Sequence, residues 1–307
     1  MKIEKKGILE AIGNTPMVQL VHLDINPAVK IFAKLEGNNP GGSIKDRPAY
    51  YMIKMAEESG QLTPGQTIVE PTSGNTGIAI AMIAAVKGYK VKLFMPESVS
   101  IERQLILKAF GAEVVLTPAK ESTDGAIRRA HAALKAEPGK YFMPNQFDNP
   151  NNLLSHYETT GPEIFRQTGG RVDAFVAAMG TSGTLIGTGS YLKEKIPGLR
   201  IVGVEPTIGN KLQGLKNMKE SIVPKIYDEK ALDEKITIED EDAFENTRML
   251  ASREGVFCGM SSGAAIAGAL QVAAKMKKGV IVTILADRGD RYLSTHLFRS
   301  IRAKSLP

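Results

Sequence analysis

From residue 28 onward, short β-branched runs alternate with longer stretches of helical periodicity, and few folds accept that alternation. The strand-like runs are 28–36, 67–71, 90–96, 113–118, 172–179, 200–206 and 280–286. Between them lie helix-like stretches at 46–58, 75–87, 100–110, 123–136, 155–167, 182–194, 241–253 and 262–275. Strand–helix–strand order predicts α/β layers with mainly parallel sheets, because parallel neighbours need a crossover connection. Ser100 and Asp240 stand where helix caps are expected, and Gly111 follows a helix where a left-handed residue belongs. The pattern falls into two groups joined by the loop-rich "YFMPNQFDNPNN" at 141–152. It predicts two three-layer α/β domains, a smaller one over 37–143 and a larger one from 1–36 and 144–307, with a cleft between them. Ligands of such sheets bind beyond the carboxyl ends of the strands.

Two loops meet that condition. "EPTSGNTGIAI" ends a strand at Pro71 and opens into a helix, with Thr72, Ser73, Asn75 and Thr76 offering polar groups and Gly74 and Gly77 admitting a close ligand. "AAMGTSGTLIGTG" does the same through Gly180, Thr181, Ser182, Gly183 and Thr184. Free N–H groups and the positive helix end favour an anion at both. Neither is a nucleotide fingerprint: no G-x-x-x-x-G-K-[ST] occurs, and G-T-G-S-Y-L at 187–192 lacks the last glycine of the dinucleotide pattern. Taken singly, each loop also reads as a tight turn capped by Ser and Thr.

Lys45 in "GNNPGGSIKDRP" (37–48) stands at the start of a predicted helix. The positive helix end disfavours an ammonium there and lowers its pKa. A neutral amine can form a Schiff base with an aldehyde cofactor. The competing reading is a solvated surface lysine, the common fate of that residue. In "CGMSSGAAIAGAL" (258–270), Ser261 and Ser262 sit at the mouth of an Ala-rich helix, either as caps or with a hydroxyl turned to a cofactor's ring nitrogen.

Composition narrows the partners. The net charge of +6 is dispersed, with no basic run of five, so nucleic acid is not expected. The longest apolar run, "IAIAMIAAV" at 78–86, is too short to cross a bilayer. The N-terminus lacks the apolar run of a secretory signal, and the single cysteine, Cys258, excludes an internal disulfide. A cytoplasmic protein is expected. His22, His131, His156 and His296 show no metal-ligand spacing, so no metal is expected.

Taken in order, the motifs "IGNTPMVQL" (12–20), "KLEGNNPGGSIKDR" (34–47), "EPTSGNTGIA" (70–79), "NQFDNPNN" (145–152), "GTSGT" (180–184), "VGVEP" (202–206), "GMSSGAA" (259–265) and "DRYLST" (290–295) are spread along almost the whole chain. This set resembles the cysteine synthases (O-acetylserine sulfhydrylases), fold-type II pyridoxal-phosphate enzymes that share the tryptophan synthase β-subunit fold. The resemblance implies pyridoxal 5′-phosphate as cofactor and Lys45 as its Schiff-base partner and the carrier of the substrate's α-proton. Gly180, Thr181, Ser182, Gly183 and Thr184 would cradle the phosphate, Asn75 would bond the 3′-oxygen, and Ser261 would face the pyridine nitrogen. Thr72, Ser73, Thr76 and Gln146 would grip the substrate α-carboxylate. A mobile smaller domain would close over the site.

The implied reaction is β-replacement on O-acetyl-L-serine through an aminoacrylate, with sulfide or thiosulfate attacking, to give L-cysteine or S-sulfocysteine. A serine at the ring nitrogen cannot hold a pyridinium as a carboxylate does, which favours prompt β-elimination over transamination or racemisation. "GVFCGMSSG" (255–263) and "ADRGDRYLST" (286–295) look more like the B-type than the A-type enzymes. That speaks against a serine acetyltransferase complex, while the family implies a homodimer. The variable segment 207–227 lacks an arginine pair associated with some B-type enzymes; Lys211 and Lys216 are its candidate replacements. Cystathionine or lanthionine synthesis and serine or threonine dehydration are alternatives. A non-catalytic anion- or carboxylate-binding module is another, though it has no use for Lys45.

Overall fold

Parallel strands covered on both faces must be apolar almost throughout, and the central strands here are. In this computed structural model, which describes residues 7–23, 26–72, 74–220 and 222–298, the strands form two sheets. The first contains β1 (Met17–Leu20), β2 (Val29–Leu35), β7 (Ala174–Ala178), β8 (Arg200–Pro206), β9 (Glu234–Ile238) and β10 (Gly279–Leu285) in the order β1-β2-β10-β7-β8-β9. All its pairings are parallel except β1 with β2. The second contains β3 (Thr67–Pro71), β4 (Lys90–Pro96), β5 (Glu113–Thr117) and β6 (Tyr141–Phe142) in the order β5-β4-β3-β6, all parallel.

Helices cover both faces of each sheet. On one face of the larger sheet, α8 (Asp240–Glu254) and α9 (Met260–Lys275) bury Leu250, Ile266 and Val272 against Val176, Val204 and Ile281. On the other, α6 (Gly161–Thr168) and α7 (Gly183–Lys195) bury Ile164, Leu185 and Leu192 against Phe175, Ile201 and Val282. The smaller sheet packs α1 (Asp46–Glu58), α2 (Asn75–Lys87) and α3 (Ile101–Ala109) through Ile53, Ile78, Ile83 and Leu107. Its opposite face meets α4 (Ser122–Ala136) through Ala126 and Ala130. Each sheet is thus the middle of a three-layer α/β stack, as expected.

Some local expectations change. Ser100 stands at the cap position of α3 as expected, but its hydroxyl donates to Arg291 O at 2.7 Å and makes no capping bond to the helix. Asp240 is the first residue of α8, with Glu239 at the cap position. The helix expected over 155–167 starts earlier, as α5 (Pro150–Ser155) capped by the Asn149 side chain. It then widens into a π-helical turn, His156–Thr160, before α6. Gly111 does adopt the left-handed conformation, at φ +82°.

Candidate active site

Lys45 is the cap residue of α1, and its loop is fastened to the end of β10. Ile44 N–H donates to Ala286 O at 2.8 Å, and Ser43 pairs across an isolated bridge with Asp287. Two residues on, the Arg47 guanidinium donates to both carboxylates of Glu36 and Glu163 at 2.7–2.8 Å. The Lys34 ammonium joins Glu163 at 2.8 Å. Burial pushes the Glu163 carboxyl up, but Arg47 and Lys34 outweigh it and hold it at about 2. Two cations and two carboxylates from β2, its following turn, α1 and α6 therefore neutralise one another in the interior, where a lone charge would be expensive. This clamp fixes the start of α1 and with it Lys45.

The Lys45 side chain enters a cleft of about 940 Å³, part of it open to solvent. Among the described residues no hydrogen bond or ion pair engages its Nζ. Burial lowers the pKa of its ammonium, and the nearby Asp287 carboxylate opposes that shift. Desolvation is thus the larger cause, where the sequence pointed to the helix end.

The loop after β3 supplies Asn75 and Thr76 to the cleft wall. Thr72 turns inward: it is buried, and its Oγ1 accepts from Gly74 N–H at 3.0 Å and Gly77 N–H at 3.2 Å. It shapes the loop and is not part of the wall. Ser73 lies outside the described residues. The Asn75 amide donates to Asp287 Oδ2 at 2.6 Å and accepts from Arg291 at 2.7 Å, so its plane is fixed. Thr76 donates to Gln146 Oε1 at 2.6 Å. Gln146 is placed by Glu70, whose carboxylate accepts from the N–H groups of Asn145 and Gln146 at 2.8 and 2.9 Å. Burial raises the Glu70 carboxyl to about 7 despite those bonds.

The loop after β7 brings Gly180, Thr181 and Thr184 to the same wall. Ser182 adopts φ +68° at the cap of α7, and its hydroxyl donates to Thr181 O. Among the described residues no protein acceptor meets the N–H groups of Thr181, Ser182 or Thr184, leaving a set of donors at a helix start. Gly183 permits a close approach: a Cβ there would lie 2.2 Å from Asn152 Oδ1. Asn152 in turn donates to Gln146 O at 2.7 Å and Thr181 Oγ1 at 3.1 Å, linking the two loops.

Opposite lies Ser261. Gly259 is the cap residue of α9, so neither serine caps the helix. Ser262 is buried and accepts from Ala286 N–H at 3.0 Å, whereas Ser261 lines the cleft. Cys258 is buried in the core, and burial followed by the Asp287 charge pushes its thiol up to about 12. It acts as a small apolar side chain.

Several cleft residues escaped the sequence reading. Arg103 of α3 is buried, donates to Tyr292 OH at 2.6 Å and to the Gln213 side chain, and lies 4.5 Å over the Tyr292 ring. Tyr292 OH donates to Asp287 Oδ2 at 2.6 Å, completing a chain back to Asn75. Their distance along the chain hides the cluster; only the quoted "DRYLST" motif pointed to it. Of the two lysines read from the variable segment, Lys216 does line the cleft, 4.8 Å from the Phe147 ring centroid and 3.9 Å from Asp124, and burial lowers its pKa. Lys211 stays exposed outside the cleft. Among the described residues no three His, Cys, Asp or Glu side chains are grouped to hold a metal, and no helix is long and apolar enough to cross a membrane.

An amine with a lowered pKa, a helix start with bare N–H donors, a fixed amide and an uncharged hydroxyl thus surround one cleft. Comparison with known proteins adds independent findings. The family described as pyridoxal-phosphate dependent enzyme matches residues 8–287. Cysteine synthase B of Salmonella typhimurium is 47% identical over 94% of this chain and 95% of its own. The crystal structure of cysteine synthase (OASS) from Entamoeba histolytica superposes with TM-score 0.88 at 43% identity, covering 97% of this chain and 92% of the other. That of O-acetylserine dependent cystathionine β-synthase from Helicobacter pylori gives TM-score 0.91 at 37% identity, covering 97% and 100%.

Proposed function

The chain belongs to the pyridoxal-phosphate-dependent enzymes and, within them, to the cysteine synthases of B type, and from that premise we propose how its residues turn O-acetyl-L-serine and sulfide into L-cysteine. The observation that carries the reading is Lys45, half-buried and unpaired among the described residues, in one cleft with the bare N–H groups that open α7. Those donors, bare at a helix start, fit a phosphate. Bound there, pyridoxal phosphate supplies an aldehyde for Schiff-base chemistry and a ring that withdraws electrons from a substrate's α-carbon.

Lys45 serves as the amine that holds the cofactor, and its lowered pKa lets it act afterwards as the base at the substrate's α-carbon. Asn75 offers its second amide hydrogen in a plane set by Asp287 and Arg291. Ser261 faces the ring nitrogen with a hydroxyl, which carries no fixed charge to stabilise a pyridinium. Thr76 and Gln146, with Ser73 of the same loop, receive the α-carboxylate, while Thr72 shapes the loop through its bonds to Gly74 N–H and Gly77 N–H. Carboxylate binding there draws the smaller unit, 37–143, over the cleft and excludes water. Lys216 brings a cation to the cleft, which supports thiosulfate as a second sulfur donor giving S-sulfocysteine. The reading extends to a homodimer, on the family resemblance, and to the cytoplasm, where a lone buried thiol such as Cys258 stays reduced.

The likeness to the Helicobacter pylori protein favours a second reading, in which homocysteine is the nucleophile and cystathionine the product. Steady-state assays of O-acetylserine with sulfide, thiosulfate and homocysteine decide between them. The proposal expects sulfide to have the highest kcat/KM. Faster turnover with homocysteine would favour the second reading, and no turnover with any of the three would overturn both.

A further inference from the structure

Two opposite charges stand together at the cleft, and the chemistry above uses only one of them. Lys216 lines the cleft with its side chain 10% exposed. Its backbone N–H donates to Met179 O at 3.0 Å, just past β7. Gly180 lets this segment come close, since a Cβ there would lie 2.4 Å from Gly214 O. Asp124, in the first turn of α4 on the smaller sheet, is half-buried, and its Oδ1 lies 3.9 Å from Lys216 Nζ. The Phe147 ring, also in the cleft wall, has its centroid 4.8 Å from the same Nζ.

At 3.9 Å the two charges attract but are too far apart for a hydrogen bond. Among the described residues no hydrogen bond reaches either the ammonium or the Asp124 carboxylate. The carboxylate opposes the effect of burial on Lys216 and favours its charged form. An α-amino acid carries the same two charges about 3 Å apart through its N–Cα–C bonds. Laid antiparallel to the pair, its carboxylate meets Lys216 and its ammonium meets Asp124, and both protein groups gain the charge-assisted bonds they lack. A dianion such as thiosulfate is drawn by Lys216 but repelled by Asp124, and sulfide is small enough to need no such site. The Phe147 ring offers an apolar wall to the methylenes of a thiol side chain.

We propose that Lys216 and Asp124 form a subsite for a second, zwitterionic substrate, an α-amino acid with a side-chain thiol, which competes with sulfide as the nucleophile. It rests on the β-replacement reading of the cleft. The C–O bond to acetate breaks, a C–S bond to the β-carbon forms, and the thiol proton balances the departing acetate, so the product is a thioether carrying two amino-acid groups. The test is steady-state kcat/KM with O-acetylserine and three thiols, with rates referred to the thiolate present. These are L-homocysteine, γ-mercaptobutyrate, which lacks the ammonium, and γ-mercaptopropylamine, which lacks the carboxylate. Wild type should prefer homocysteine to each truncated thiol by about tenfold. Asp124→Asn should lose the preference over γ-mercaptobutyrate and keep that over γ-mercaptopropylamine, and Lys216→Met should do the reverse. A purely structural role would move both preferences together. A preference absent in wild type, unchanged in the variants, or lost for both truncated thiols alike overturns the proposal, and the wild-type comparison holds even if a variant does not fold. Wild type that turns over sulfide but none of the thiols overturns the subsite alone, whereas wild type that turns over neither overturns the β-replacement reading.

Discussion

Gly183→Ala places a methyl where the Asn152 amide stands. The new Cβ lies 2.2 Å from Oδ1 and 2.7 Å from Cγ, against a normal contact of about 3.5 Å, so Asn152 must retreat by about 1 Å. It is buried, and retreat breaks its bonds to Gln146 O at 2.7 Å and Thr181 Oγ1 at 3.1 Å. Two such bonds contribute about 1–3 kcal/mol together, and alanine's better helix propensity returns about 0.5–1 kcal/mol. The net loss is about 1–2 kcal/mol. Asn152→Ala loses the same two bonds and removes the colliding atoms. Alanine at 183 then meets no obstruction, so the double variant should be as stable as Asn152→Ala, or slightly more so. Urea unfolding at saturating pyridoxal phosphate measures the cycle. Additive losses in the double variant, or a Gly183→Ala protein as stable as wild type, would refute the reasoning.

Three further perturbations probe other parts of the structure. Arg47→Met leaves Glu36 and Glu163 facing each other in the interior with Lys34 alone to compensate. It should cost about 3–5 kcal/mol at pH 7 and distinctly less near pH 4, as thermal unfolding at the two pH values would show. Burial raises the Asp46 carboxyl to about 7 against backbone donation from Gly41. A folded-state pKa above the unfolded value means that its contribution is full below about pH 4 and lost as pH rises through about 7, a swing on the order of 2–4 kcal/mol. Asp46→Asn should flatten the fall in stability between pH 5 and 8, and an unchanged profile would count against the assignment. Ser261→Asp puts a carboxylate at the expected ring-nitrogen position. It should divert turnover toward transamination or racemisation, seen as a changed product ratio from O-acetylserine; an unaltered ratio would remove the role given to the hydroxyl.

Local chemistry explains what the sequence revealed. Helices 46–58 and 75–87 and strands 67–71, 90–96 and 200–206 have the bounds read from periodicity, because each is long and framed by Gly, Pro or a polar turn. The missed strands are short or lie at sheet edges. β1 and β9 are edge strands of four and five residues, and β6 has only two. Their pairing comes from a neighbouring strand, not from their own pattern. The site divides the same way. The α2 and α7 loops were legible because glycine, hydroxyls and a helix start lie within a few residues. Arg103, Asp287, Arg291 and Tyr292 were not, since their hydrogen bonds span up to 250 residues of chain, between Gly41 and Arg291. Lys45 lay between: its position was plain, but burial, the larger cause of its lowered pKa, needs the surrounding fold.

The central claim is that Lys45 is the amine that binds the cofactor. Borohydride reduction of the protein with pyridoxal phosphate, followed by proteolysis and mass spectrometry, tests it most directly. The account predicts a pyridoxyl group on the peptide containing Lys45 and none in Lys45→Ala. A pyridoxyl group on another lysine, or an unmodified wild-type chain, would contradict it.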